Sequence, residues 1–197
     1  SASPELYLRR DADMIQSRPI KGTGKRAADL LAKDEAENVM IVDLVRNDLG
    51  RICRAGSVGV PVMLDVEHHP GLVHLVSTVS GELLPGTTWP QILAATFPPG
   101  SVTGAPKIAA LEIINALEAG PRGPYCGAFG WLDADRGTAE LAVAIRTFWR
   151  EAGPLGPQLA FGTGAGITWD SDPQAEWRET QLKSARLLEV AGSGEVP

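Results

Sequence analysis

Cysteine and histidine are scarce in this 197-residue chain, and its basic residues never gather into a run. The two cysteines, Cys53 and Cys126, lie far apart and form no C-x-x-C or Cys/His spacing, which suggests neither a zinc site nor a disulfide framework. That usage fits a reducing compartment, and a cytoplasmic location is expected. His68, His69 and His74 have no recognisable metal spacing, and a lone His74 in a strand is most simply a satisfied structural histidine. With 18 Lys and Arg against 24 Asp and Glu, the formal net charge is −6, so neither nucleic acid nor an anionic membrane is an expected partner. No apolar run approaches the ~20 residues that span a bilayer, and SASPELYLRR has charges where a signal peptide needs an apolar core. Internal repeats and low-complexity segments are also lacking.

What is present is 44% hydrophobic residues in a 20.8 kDa chain, enough for one sizeable core. A single domain is expected over residues 1–190, with 191–197 as a frayed tail. Pro19 and Gly22 flank Lys21 in RPIKGT, which predicts a strand ending in a tight turn at Lys21. Residues 27–49 read as one helix, with Gly50 placed to end it in the left-handed conformation. Met40, Ile41 and Leu44 make an apolar stripe on that helix, and Glu37 falls on the same stripe. The runs SVGVPVMLDVE and LVHLVSTVSGEL, separated by HHPG, predict two paired strands. A short helix follows at about 88–95, and another opens at Pro106 and stops at Gly120-Pro121. CGAFGWLD, TAELAVAIRTFWR and QLAFGTGAGITW predict an antiparallel meander. Asp172 as N-cap and Pro173 at the first helical position then open a helix of about sixteen residues. Strands and helices come in separate blocks, so the expected class is α+β.

Three groups of residues could carry chemistry. Glu37 comes from one helix, while Glu176, Glu179 and Lys183 share a face of the last. Converging carboxylates would suit Mg²⁺, which takes a few hard oxygen ligands and completes its octahedron with water and substrate. The other reading of the last helix is a solvated face with Glu179 and Lys183 as an ordinary i, i+4 pair. GTGAGI, residues 162–167, either aims successive amides at an anion or forms a bulge between packed strands. It does not match the dinucleotide fingerprint, and GSVTGAPK does not match the P-loop. Arg146 and Tyr125, expected on neighbouring strands with Ala142, Ala144 and Arg146 along one face, leave room for a planar ligand unless Arg146 pairs with an acid. Lys21 itself is, on composition alone, a solvated lysine at a loop tip.

Taken together, SPELYLRR, RPIKGT, AENVMIVDLVRNDLGRI, VHLVSTVSGEL, FPPGSVTGAPKIAALEII, GPYCGAFGW, AVAIRTF and GTGAGITWDSDPQAEWRET resemble the chorismate-utilising enzymes. That family includes anthranilate synthase component I, aminodeoxychorismate synthase component I, isochorismate synthase and salicylate synthase. The resemblance runs through nearly the whole chain and implies an α/β/β/α sandwich whose N-terminal part is absent from this chain. It implies that Glu37 and Glu179 hold Mg²⁺, with Asp34 and Glu176 as water-mediated partners. Tyr125, Arg146 and the amides around Gly164 and Gly166 would bind the enolpyruvyl carboxylate of chorismate. Gly22, Thr23 and Lys183 would join Mg²⁺ at the ring carboxylate. His74 would stand near the C4 hydroxyl, and Glu5 would be the general acid and base.

The lysine in PIKGT resembles the aminodeoxychorismate branch, since anthranilate synthases are similar but carry PIAGT. By that resemblance Lys21 adds to ring carbon C2 as the C4 hydroxyl leaves, ammonia enters at C4, and the lysine is expelled. An amine attacks only when neutral, so its surroundings must favour that form. The implied product is 4-amino-4-deoxychorismate, on the way to p-aminobenzoate and folate, with ammonia supplied by a glutamine amidotransferase subunit. The alternatives are an anthranilate synthase-like enzyme and an inactive chorismate-binding fragment.

Overall fold

Strand β5, Leu72–Glu82, is buried along nearly its whole length, because both of its edges are paired and one face is covered. The computed structural model describes residues 1–69, 72–153, 156–169 and 171–193. Along one edge of β5 runs β4, Gly59–His69. The other edge is shared end to end by β2, Met14–Arg18, and β3, Ile20–Gly24, with Pro19 between them. The sheet continues from β2 through β1, Leu6–Asp11, and β7, Thr138–Val143, to β6, Ala128–Asp133, every pair antiparallel. Helix α1, Ala32–Gly50, lies on this sheet. It buries Ile41, Val42, Leu44, Val45 and Leu49 against Tyr7, Leu8, Ile15, Val79 and Val143.

The paired strands, the α+β class and the short helix, α2 at Trp89–Thr96, follow the expectation. So does α3, Lys107–Leu117, which begins directly after Pro106. Helix α4 opens as expected, with Asp172 accepting from the Ala175 amide at 2.8 Å and Pro173 as its first residue. It extends to Ser193, longer than the sequence signals imply, and residues 194–197 of the expected tail lie outside the described residues. Pro70 and Gly71 of the expected HHPG turn lie outside them as well.

Four expectations for the first helix and the strand before it need correction. The first helix is not continuous from residue 27: a 3-10 turn at Ala27–Asp29 gives way to extended backbone at Leu30 and Leu31. The Asp34 carboxylate accepts from the Leu31 amide at 2.8 Å and so restarts the chain as α1. Gly50 is helical rather than left-handed, and the helix ends at Arg51 in the right-handed region. Met40 is exposed, so the inward stripe is narrower than the spacing suggests. At Lys21 the strand does not end: β3 continues to Gly24 around a bulge where Gly22 takes φ +78°.

The expected meander is split. Strands β6 and β7 extend the large sheet, whereas β8, Phe148–Gly153, and β9, Gly156–Phe161, form a separate hairpin. Between the two, Arg146 sits at φ +50°, outside any strand, so it shares no strand face with Ala142 and Ala144. Ala144 is tied across to Cys126 and Gly127, and the Arg146 carbonyl accepts from the Ala2 amide at 2.9 Å. These bonds pull the chain out of the β7 register.

Candidate active site

Glu5 precedes β1 and is buried, its backbone carbonyl fixed by the Val143 amide at 3.0 Å. Burial pushes its carboxyl above the usual range, against lesser opposing effects of the Ser101 side chain, the Lys21 charge and the Ile20 amide. An acid that holds its proton more tightly than a free carboxyl is suited to protonating a leaving hydroxyl. It also costs stability when ionised: the folded state binds the proton more tightly, so wild-type stability falls as pH rises from about 4.5 through the folded pKa. Glu5→Gln does not titrate. Its melting temperature relative to wild type should therefore climb across that window and then level off, as thermal melts over a pH series would record; a constant difference contradicts the assignment.

Lys21 reaches from β3 to the Ser101 carbonyl, donating at 3.0 Å. Ser101 belongs to a 3-10 turn, Gly100–Val102, packed so closely on α1 that a Cβ on Gly100 would stand 2.7 Å from Leu44. The Glu37 carboxylate faces the same place. A Cβ on Gly166 would lie 3.2 Å from Glu37 Oε2 and 3.8 Å from Lys21 Nζ, so the glycine segment closes over both. Burial raises the Glu37 pKa, Lys21 and Lys33 oppose this, and the charges of Asp34 and Glu176 raise it further. Its neighbour Asn38 is fully buried, donating to the Leu75 carbonyl at 3.2 Å and accepting from Ser77 at 2.6 Å. Those bonds fix this turn of α1 on β5 and hold Glu37 at the edge of the sheet.

The glycines of residues 162–166 are needed for close approach. None of Gly162, Gly164 and Gly166 lies in the left-handed region, and the segment is neither strand nor bulge. A Cβ on Gly162 would fall 2.3 Å from the Tyr125 ring, and one on Gly164 2.9 Å from the Tyr125 hydroxyl. Gly162→Ala should accordingly destabilise the fold by about 1–3 kcal/mol through overpacking. Thermal denaturation checks this, and an unchanged midpoint would show that Tyr125 is free to move away. Thr163 ties the segment to α4, donating to the Thr180 carbonyl at 3.3 Å.

Thr23 and His74 pair across β3 and β5, with Thr23 Oγ1 3.0 Å from His74 Nδ1. Burial lowers the His74 pKa, and the charges of Arg146 and His69 lower it further, so the ring is neutral at physiological pH. Arg146 is half-buried, burial lowers its pKa, and no ion pair among the described residues takes it. An arginine so placed suits an anionic ligand. On α4, Glu176 is buried and accepts from Ser171 at 2.8 Å. Glu179 and Lys183 contact each other at 2.5 Å, the ordinary i, i+4 arrangement, and Glu179 is not among the charges acting on Glu37.

Thus Lys21, Glu5, Glu37 and Gly166 come together, as do Tyr125 with Gly164, Thr23 with His74 and Arg146, and Gly22 with Asp34, whose Cβ stands 2.8 Å from where a Gly22 Cβ would be. Among the described residues no three acid, His or Cys side chains already stand in metal-ligand spacing. The donors nevertheless fit a hard divalent cation in kind: a half-buried carboxylate is burdened by two further carboxylates, and a cation would relieve that burden. Ser101 was not legible in the sequence, because its contact to Lys21 uses a backbone carbonyl that any residue carries.

Residues 1–189 match the protein family described as chorismate binding enzyme. The chain is 45% identical to anthranilate synthase component 1 of Synechocystis sp., covering 96% of this chain and 41% of that protein. It is 44% identical to aminodeoxychorismate synthase component 1 of Escherichia coli, over 95% of this chain and 43% of that protein. It thus spans about two fifths of the length of these relatives. Among solved structures, anthranilate synthase component I of Streptococcus pneumoniae superposes with a TM-score of 0.78 at 38% identity, over 94% of this chain and 42% of that one. With a match through nearly its whole length and this fold, the chain belongs to the chorismate-binding enzyme family.

Proposed function

We infer that the protein aminates chorismate to 4-amino-4-deoxychorismate, with Lys21 as the attacking group. The observation that carries this is the placement of one amine, Lys21 Nζ, against the Ser101 carbonyl, beside Glu37 and within the electrostatic reach of buried Glu5. Lys21 forms a bond to ring C2, Glu5 gives its proton to the departing C4 hydroxyl, and water leaves. Ammonia then bonds to C4 and the Lys21 amine departs from C2, which returns the ring double bonds to their starting pattern. Arg146, Tyr125 and the 164–166 backbone bind the enolpyruvyl carboxylate, while Gly22, Thr23 and Lys183 bind the ring carboxylate. Neutral His74, held by Thr23, lies at the C4 hydroxyl.

Glu37 and Glu179, with Asp34 and Glu176 behind them, would hold Mg²⁺, which when bound supplies positive charge to the ring carboxylate. Ammonia comes from a glutamine amidotransferase partner, as the "component 1" in the relatives' names suggests. No described helix is long and apolar enough to cross a membrane. Because relatives of both names are about equally similar, the product decides between them. The full-length enzyme with chorismate, Mg²⁺ and an ammonium salt should accumulate 4-amino-4-deoxychorismate by chromatography, and direct release of fluorescent anthranilate would overturn the assignment.

A further inference from the structure

Lys107, the first residue of α3, keeps only 11% of its side chain exposed and donates at once to Asp48 Oδ2 at 2.5 Å and to the Thr96 carbonyl at 3.0 Å. Thr96 and Lys107 are the two ends of the 97–106 loop, so one ammonium joins the base of the loop and anchors it to the last turn of α1. Both partners are themselves held. Asp48 also takes Arg51 at 2.7 Å, and Arg51 donates to the Ala95 carbonyl. The Thr96 hydroxyl meets Tyr7 at 2.6 Å and donates to the Ile92 carbonyl at 2.8 Å. At the middle of this loop is Ser101, whose carbonyl takes Lys21 and which lines the same cavity as Glu5. The turn that carries Ser101 has little room to slide inward, since even a Cβ on Gly100 would stand 2.7 Å from Leu44. Its remaining freedom is outward and sideways, and the loop's base determines it.

We propose that Lys107, Asp48 and the Thr96 carbonyl form a positioning staple that closes the 97–106 loop and sets Ser101 between Lys21 and Glu5. The proposal rests on the assignment of those two residues as the reacting groups. Displacing Ser101 would loosen the register between nucleophile and acid while leaving the carboxylate-binding residues in place. Turnover would then suffer and substrate binding would not.

The test uses the full-length enzyme and follows chorismate consumption, whatever the product. Asp48→Asn combined with Lys107→Met leaves no unpaired buried charge. In this variant kcat should fall roughly tenfold to a hundredfold, with KM within about twofold of wild type. Hydrogen exchange in 97–106 should quicken. Lys107→Arg, which keeps donors for both partners, should retain kcat to within about threefold. Should the double variant not fold, Lys107→Gln keeps only a neutral amide on a shorter side chain, and the same loss of kcat is expected. Lys21→Ala and Glu5→Gln are measured alongside: activity retained in either removes the assignment and the staple with it. Activity lost in both but kept in the folded staple variant overturns the staple alone. A fall in kcat that tracks melting temperature equally in Lys107→Arg and the double variant also overturns it.

Discussion

Lys21→Ala is expected to lower formation of 4-amino-4-deoxychorismate below about one thousandth of the wild-type rate, because the amine assigned to attack ring C2 is removed. The fold should survive. Lys21 is half-buried in β3 and gives up a single hydrogen bond, to the Ser101 carbonyl, while the Ile20–Val76 and Thr23–His74 pairings on either side do not involve its side chain. Residual chemistry in the variant would be direct attack of ammonia at C2, which yields a different product, so the products as well as the rate must be followed. Lys21→Arg is expected to be equally inactive, since a guanidinium stays charged and cannot attack. Normal production of 4-amino-4-deoxychorismate by Lys21→Ala would reduce Lys21 to a positive charge beside Glu37.

Glu179→Gln should reduce turnover by roughly a hundredfold to a thousandfold, the scale seen when one charge-stabilising group is removed from a reacting centre. Stability provides the contrast. The Glu179 side chain is 40% exposed and its described ion pair is the one with Lys183, so losing its charge should cost only about 0.3–0.5 kcal/mol. A near-wild-type melting temperature with little turnover would mark Glu179 as a ligand to something the substrate or metal brings. Full turnover in the variant, or in wild type treated with EDTA, would leave Glu179 as the ordinary helix-surface partner of Lys183.

The sequence revealed the parts of this molecule whose signals are local. Asp172-Pro173 announces α4 because a cap and a fixed φ act within one turn, and the β4–β5 pair announces itself by strand-forming composition around a turn. Arg146 could not be placed in the same way. Its departure from the strand is imposed by Cys126, Gly127 and Ala2, which are remote in sequence. The glycines of 162–166 suggested a cradle of amides, yet their need arises from Tyr125 and Glu37 standing where a Cβ would go. Likewise, Ala27, Ala28, Leu30, Leu31 and Ala32 are good helix formers, and the break at Leu30–Leu31 follows from Asp34 turning back on the chain. Glu37 was legible as an acid on an apolar stripe. That it faces Lys21 was not, because the two meet only once α1 lies on the sheet.

Mass spectrometry of the folded full-length enzyme after incubation with chorismate and Mg²⁺, in the absence of any ammonia source, tests the role of Lys21 most directly. Attack at C2 with loss of water from C4 adds the mass of chorismate less one water, and without ammonia nothing is present to complete the exchange. Peptide mapping should find that increment on the RPIKGT segment of wild type and not in Lys21→Ala, and adding an ammonium salt should discharge it. An enzyme that turns over chorismate once ammonia is supplied, yet carries no adduct on Lys21 without it, would contradict the covalent role of this lysine.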